Sequence, residues 1–514
     1  MFRIMRKFIF MRRILLYIVF IGLIPATVIS QQSGYHEKYR PRIHFSPQAH
    51  WMNDPNGMVY YKGEYHLFYQ YYPDSTVWGP MHWGHAISRD LVHWQHLPVA
   101  LYPDANGYIF SGSVVVDKNN TSGFKKGTEA PLVAIFTYHD PEGEKKHRND
   151  FQTQGIAYSY DKGRTWTKYA GNPVLKNPGL RDFRDPKVMW YAPSQKWIMT
   201  MAAGNEIRFY ASKDLKNWDF TGSFGTDQGD HGGVWECPDL IELPTGPHST
   251  KWVLFVSIGN GAPNGGSGTQ YFIGQFDGKK FHNENTGDTR LWIDYGKDNY
   301  AGVTWSNAPD NRHLFLGWMS NWQYAQQVPT QPWRSAMTLP RELQLKQTPS
   351  GYRLISQPVA ELTRLRKETH PLKLQENQLY PLTQNEILIS FPRPVAGEKV
   401  PEIQLSNTNG EWLTIGYETS KNLFYIDRTH LKKQEFSTSF PGLHTAPRSS
   451  GDSLITLHLF IDQSSVEVFA DKGSVVLTDL FYPEKIFTSF SIKTDPHTVH
   501  PVKAEQYMLR SIWP

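Results

Sequence analysis

Apolar and polar residues alternate in short runs along most of the chain, and Gly, Asn, Asp and Pro separate the runs. Short alternating runs closed by such turn residues predict β-strands. Two-strand units recur. Gly57–Tyr61 and Tyr65–Tyr69 flank the turn Lys62-Gly63. Ser113–Val116 precedes Pro131–Phe136, Lys187–Trp190 precedes Lys196–Met201, Asp239–Leu243 precedes Lys251–Val256, and Val303–Asn307 precedes His313–Trp318. Between these hairpins a Ser-x-Asp pattern follows an alternating stretch and runs into an aromatic: Ser88 and Asp90 before Trp94, Ser159 and Asp161 before Trp166, Ser212 and Asp214 before Trp218, with a weaker copy at Asp277 and Phe281. The units return every ~50–70 residues with about four strands each, the signature of a β-propeller. Helical periodicity is absent. The pattern predicts an all-β chain: a lead-in over 31–43 and a five-bladed β-propeller over 44–345.

After Gln347-Thr-Pro-Ser-Gly351 the repeat stops, and 346–364 reads as a linker. Alternating segments then resume at 386–391, 412–416, 423–427, 454–462, 465–469 and 475–480. Their turns, such as Thr408-Asn-Gly410 and Asp471-Lys-Gly473, predict an antiparallel β-sandwich over 365–514.

Composition narrows the partners. Aromatic residues make up 14% of the chain and charged residues 20%, which suits folded domains rather than disorder. The net charge of +5 comes from Arg3, Arg6, Lys7, Arg12 and Arg13; without them 48 basic residues face 48 acidic ones. A neutral body argues against nucleic acid and favours an uncharged substrate. Cys237 is the sole cysteine, so intrachain disulfides and cysteine metal clusters are excluded. The basic start, the apolar run Ile14–Ile29 and the small residues Val28 and Ser30 predict an export signal over 1–30. The run is interrupted by Gly22 and Pro25 and is shorter than the ~20 residues of a spanning helix. Cleavage would free the protein from the membrane into periplasm or medium, and without a nearby cysteine it would not be a lipoprotein.

In a propeller the innermost strand of each blade lines the central channel, so residues preceding each hairpin converge at one end. Those segments are Trp51-Met-Asn-Asp54-Pro-Asn-Gly57, Phe110-Ser-Gly-Ser113, Arg184-Asp185-Pro186 and Trp235-Glu236-Cys-Pro238. Three of them carry a carboxylate at matching positions. Singly, Asp54 reads as a turn residue and Asp185 as half of a surface ion pair. Glu236, between Trp235 and Cys237, is costlier to leave without a use. Together the acids suit hydrolysis of an acetal, which needs one protonated and one ionised carboxyl group on either side of the bond. Trp51, Trp78, Trp83, Trp235, Trp318 and Trp322 offer faces for sugar rings. His82, His85, His93 and His96 straddle a strand and a turn, so no metal site is expected, and no cofactor is implied.

These four motifs, with Gly317-Trp-Met-Ser-Asn-Trp322 and Asp462-Gln-Ser-Ser-Val-Glu-Val-Phe469, resemble those of glycoside hydrolase family 32, the β-fructosidases, over nearly all of the chain beyond residue 30. The resemblance implies a five-bladed propeller with a C-terminal sandwich and a retaining mechanism. By motif match Asp54 would be the nucleophile, Glu236 the acid and then the base, and Asp185 the holder of fructose hydroxyls. Asn53, Gln70, Trp78, Phe110, Ser111, Arg184 and Trp318 would contact substrate. Glu236 is expected to have a raised pKa, and Asp54 to stay ionised. The implied activity is exo-acting release of fructose from levan or inulin, with sucrose also a candidate. Alternatives are an endo-levanase, an invertase, a fructosyltransferase, or a non-catalytic fructan-binding protein; the three acids weigh against the last.

Overall fold

The computed structural model describes residues 34–372, 378–395, 398–494 and 497–513; the segment read as an export signal lies outside them. Five sheets follow one another along the chain. The first comprises His50–Tyr61, Glu64–Tyr72, His82–Ser88 and Trp94–Leu101, and the second Tyr108–Val116, Leu132–His139, Gln152–Ser159 and Thr167–Lys168. The third comprises Phe183–Tyr191, Lys196–Ala203, Glu206–Ser212 and Asp219–Phe224, and the fourth Trp235–Gly246, Ser249–Ile258, Gly268–Phe276 and Phe281–Asn283. The fifth is built on Tyr300–Thr304 and Leu314–Met319. The first strands of successive sheets touch in order, and that of the fifth sheet returns to that of the first. The ring encloses the channel of a propeller. Trp333–Arg334 pairs in parallel with His50 and Trp51, tying the late chain back to the first sheet.

Position within a sheet explains the composition of its strands. Leu132–His139 is buried from end to end, as expected of a strand covered on both faces. The outermost Trp94–Leu101 is mostly half-buried. The Ser-x-Asp repeat, with its weaker copy at Asp277, caps the turn after the third strand of each of the first four sheets. Asp214 Oδ1 accepts from the amides of Lys216 and Asn217 at 2.9 and 2.8 Å, and Asp90 Oδ1 from those of Val92 and His93 at 3.1 and 2.9 Å.

The stretch expected to be a linker at 346–364 is largely sheet. Arg341–Thr348 pairs with Gly351–Pro358 and with Leu314–Met319, completing the fifth sheet. The segment Thr348-Pro-Ser-Gly351 is the turn inside this hairpin, with Gly351 at φ +96°. Its signal was weak because the strand before the turn has only two buried positions, Arg341 and Leu343. A 3₁₀ turn, Ala360–Leu365, then buries Leu362 and Leu365.

The C-terminal part is two six-stranded sheets packed face to face. One includes Asn385–Pro392, Leu454–Ile461, Ser465–Ala470 and Val475–Leu480; the other includes Glu402–Ser406, Trp412–Glu418, Leu423–Asp427 and Leu443–Pro447. Ile387, Leu459, Val468, Ile403, Ile415 and Ile426 fill the space between them, the inward half of each alternating strand. A buried charge network joins sandwich to propeller. His44 lies between Asp462 and Glu467 at 2.7 and 3.0 Å, Arg341 pairs with Glu467 at 2.6 Å and with Asp294 at 2.9 Å, and Arg428 meets Asp298 at 2.8 Å. No helix among the described residues is long and apolar enough to cross a membrane.

Candidate active site

All five inner strands carry the same irregularity. In each, two residues face one on the neighbouring strand: Asn53-Asp54 opposite Gln70, Phe110-Ser111 opposite Thr137, Asp185-Pro186 opposite Met201, Cys237-Pro238 opposite Val256, and Ala301-Gly302 opposite Gly317. These are β-bulges, which bend a strand and re-aim its side chains. The first bulge residue is left-handed in three sheets: Asp185 at φ +63°, Cys237 at +45° and Ala301 at +53°. For non-glycine residues that costs free energy, and such strain concentrates at functional sites. The bulges also explain Pro186 and Pro238, because an unpaired bulge position needs no backbone N–H.

The three acids therefore do not occupy equivalent positions, as the motif reading expected. Asp54 is the second bulge residue of its strand, Asp185 the first, and Glu236 precedes the bulge. In the sheets on either side, the positions equivalent to Glu236 are Arg184 in the third and Tyr300 in the fifth. Both bond to it. Arg184 donates from Nε and Nη2 to Glu236 Oε1 at 3.1 and 2.9 Å, and the Tyr300 hydroxyl donates to Oε2.

Nine of the ten residues singled out from the sequence line one cavity of about 310 Å³: Asp54, Asp185, Glu236, Asn53, Gln70, Trp78, Phe110, Ser111 and Arg184. Trp318 does not. It is completely buried, packed against Trp51 at 6.0 Å and Trp322 at 4.8 Å between ring centroids. Trp51, Trp83 and Trp235 are equally buried, so of the six tryptophans proposed as stacking faces only Trp78 and Trp322 reach the cavity. Composition could not separate them, because strand alternation sends the others into the core. Sequence reasoning also missed Tyr300 and the lining residues Asp182, His139, Glu144, Phe151, Gln152 and Gln326. Tyr300 could have been found by extending the hairpin alignment to the fifth sheet.

The electrostatics depart from expectation as well. Burial, then the negative charges of Glu236 and Asp185, push Asp54 up to about 7. Its carboxylate meets only neutral donors: Asn53 Nδ2 at 3.0 Å, Ser111 Oγ at 3.3 Å and Cys237 Sγ at 3.6 Å. Burial also raises Asp185, to about 6, and Glu236 adds to this against the pull of Arg184. The Cys237 amide donates to Asp185 Oδ2 at 3.0 Å. Burial and the three carboxylates push the Cys237 thiol well above its usual range, so it stays protonated and unreactive. Burial and Glu236 raise Tyr300 likewise, which keeps it a donor. The expectation that Asp54 stays ionised thus meets a raised pKa, because the guanidinium of Arg184 bonds Glu236 and not Asp54. Gln70 Nε2 is buried without a partner, a donor left over for a ligand.

Further along the inner strands a buried ion pair joins the third and fourth sheets. Lys187 and Asp239, immediately after their bulges, form a buried pair at 2.9 Å, and Asp239 Oδ2 also accepts from the amide and hydroxyl of Thr304 at 2.6 and 2.7 Å. Lys187 and Asp239 line a second cavity, with Thr304 and Trp305.

A propeller whose staggered acids meet in one cavity suits cleavage of an acetal by paired carboxyl groups, and comparison with known proteins places the chain in a glycosidase family. The chain belongs to glycosyl hydrolase family 32: residues 44–358 match its N-terminal domain and 361–507 its C-terminal domain. It is 51% identical to a levanase of Bacillus subtilis over 92% of this chain and 72% of that protein, and 38% identical to an extracellular exo-inulinase of Aspergillus awamori over 94% and 97%. The crystal structure of exo-inulinase from Aspergillus awamori superposes with a TM-score of 0.86 at 37% identity, covering 93% of this chain and all of that one. A β-fructofuranosidase of Schwanniomyces occidentalis complexed with fructosyl-erythritol gives 0.84 at 34% identity, covering 93% and 99%.

Proposed function

We propose that the protein is an exported, retaining, exo-acting β-fructosidase that frees fructose from the ends of levan or inulin. The observation that carries this is the meeting of Asp54, from the first sheet, and Glu236, from the fourth, in one cavity of about 310 Å³. A cavity that small suits a chain end better than a chain middle. The pattern of the first 30 residues and the extracellular relative support export.

The chain's own groups supply each step. Ionised Asp54 attacks the anomeric carbon of the terminal fructosyl unit while Glu236 gives its proton to the departing glycosidic oxygen. Asp185 accepts hydrogen bonds from hydroxyls of the ring, and Asn53, Gln70, Ser111 and Arg184 orient it. Formation of the fructosyl ester neutralises Asp54. Glu236 then takes a proton from water as that water attacks the same carbon, which frees fructose with retained configuration and restores both carboxyl groups.

Digests of levan and inulin, resolved by chain length from the first minutes, test the reading. Free fructose without a ladder of oligosaccharides is the expected result. An early ladder would show endo cleavage, and no release from any fructan or sucrose would refute the assignment.

A further inference from the structure

One wall of the cavity is built by the segment between Leu132–His139 and Gln152–Ser159. The segment is locked in place: the Asp140 amide donates to the Phe151 carbonyl at 2.8 Å, Asp140 Oδ1 accepts from the Glu142 amide at 3.1 Å, and Arg148 pairs with Asp150 at 2.8 Å. It presents Glu144 and Phe151 to the cavity.

A chain of hydrogen bonds runs from beside the catalytic strand to Glu144. The Phe183 amide, one residue before Arg184, donates to Gln152 Oε1 at 2.8 Å. The other end of that amide group, Gln152 Nε2, meets His139 Nδ1 at 3.3 Å, and His139 Nε2 meets Glu144 Oε2 at 3.1 Å. With Gln152 Oε1 already accepting, Nε2 must be the donor, so Nδ1 accepts and Nε2 carries the proton given to Glu144. Burial lowers the His139 pKa, which keeps this tautomer neutral. Phe110 stacks on the imidazole at 4.2 Å and 11°, and Trp78 meets Phe110 edge-on.

One oxygen of Glu144 is thus aimed by a buried neutral histidine. The other has only a long contact, Arg181 Nη2 at 3.5 Å, and the side chain is 43% exposed. A carboxylate offers about four acceptor positions, so most remain open. An oriented acceptor beside an aromatic wall is what a neutral polyol ring requires.

We propose that Glu144, positioned by His139, receives the hydroxyls of the sugar unit next to the fructosyl group being cleaved, and so sets the preference for sugar leaving groups. This rests on the fructosidase reading above. The test compares a β-linked fructose trimer with methyl β-D-fructofuranoside, which has no second sugar. Glu144→Ala is expected to lower kcat/KM on the trimer by about ten-fold more than on the methyl fructoside, mostly through KM, as for loss of a charged acceptor. Glu144→Gln keeps one acceptor oxygen and should lose less. His139→Phe, which retains a ring against Phe110 but not the N–H, should reproduce the selective loss in weaker form. Equal losses on both substrates, or none on the trimer, would overturn the proposal and leave the fructosidase reading intact. A parent enzyme that cleaves neither substrate would sink both.

Discussion

Arg184 places two of its N–H groups on a single oxygen of Glu236, at 3.1 and 2.9 Å. The two residues stand at the same register in neighbouring sheets, each immediately before its bulge. Glu236 thus meets a guanidinium that Arg184 also shares with Asp182 at 2.6 Å, while the side-chain donors to Asp54 among the described residues are the neutral Asn53, Ser111 and Cys237.

Glu236→Ala is expected to harm most the substrates with poor leaving groups. Protonation of a departing sugar alkoxide is worth ~10²–10⁴-fold, whereas an aryl fructoside needs less help. Rates on sucrose and on an aryl fructoside, measured on the same preparation, check this. Equal losses would remove Glu236 from the acid role.

Asp54→Asn should fold and be almost inactive. The amide is nearly isosteric and relieves a buried charge, so the melting temperature should not fall. It cannot attack the anomeric carbon, and activity should drop by orders of magnitude, with each ~1.4 kcal/mol a factor of ten. Retention of more than about a tenth of parental activity, a loss under ~1.4 kcal/mol, would eliminate Asp54 as nucleophile.

The nucleophile must be ionised to attack, so the rate follows the titration of Asp54. With Asp54 raised to about 7 by burial and by the charges of Glu236 and Asp185, kcat/KM should climb as pH rises through that value. Asp185→Asn takes away one of the charges raising Asp54, so the residual activity should have this acid limb at lower pH. An unmoved limb would contradict the coupling.

Tyr300→Phe removes the hydroxyl on Glu236 and little else, since the ring stays in its packing against Trp318. We expect kcat to fall about ten-fold, the worth of one charge-assisted hydrogen bond, with KM nearly unchanged. A change confined to KM would show that the hydroxyl acts on substrate binding instead.

His44 couples the propeller to the sandwich through charge. Burial alone would lower its pKa, but hydrogen bonds to Asp462 and Glu467 outweigh that and raise it to about 9 from 6.5. A raised pKa in the folded state means stability present in full below about 6.5 and lost as pH climbs through about 9, on the order of 3 kcal/mol. Urea midpoints at pH 6.5 and 9.5 should therefore differ, and His44→Gln should narrow the gap. Equal pH responses of parent and variant would exclude His44 as the cause.

Local sequence determined the strands and the hairpins of the inner blades, because alternation and turn chemistry act over neighbouring residues. It also marked Asp54, Asp185 and Glu236, since an acid beside proline at a strand start is a pattern of adjacent residues. What lay beyond it depends on contacts between distant segments. The hairpin at 341–358 hid behind weak burial, and its membership of the fifth sheet was decided only by pairing with Leu314–Met319. Six tryptophans looked alike, and packing alone sent Trp318 to the core and Trp322 to the cavity. The proton distribution was likewise set in three dimensions. Arg184 adjoins Asp185 in sequence, but its guanidinium bonds Glu236 from the next sheet, and Coulomb energies follow distance through space, not separation along the chain.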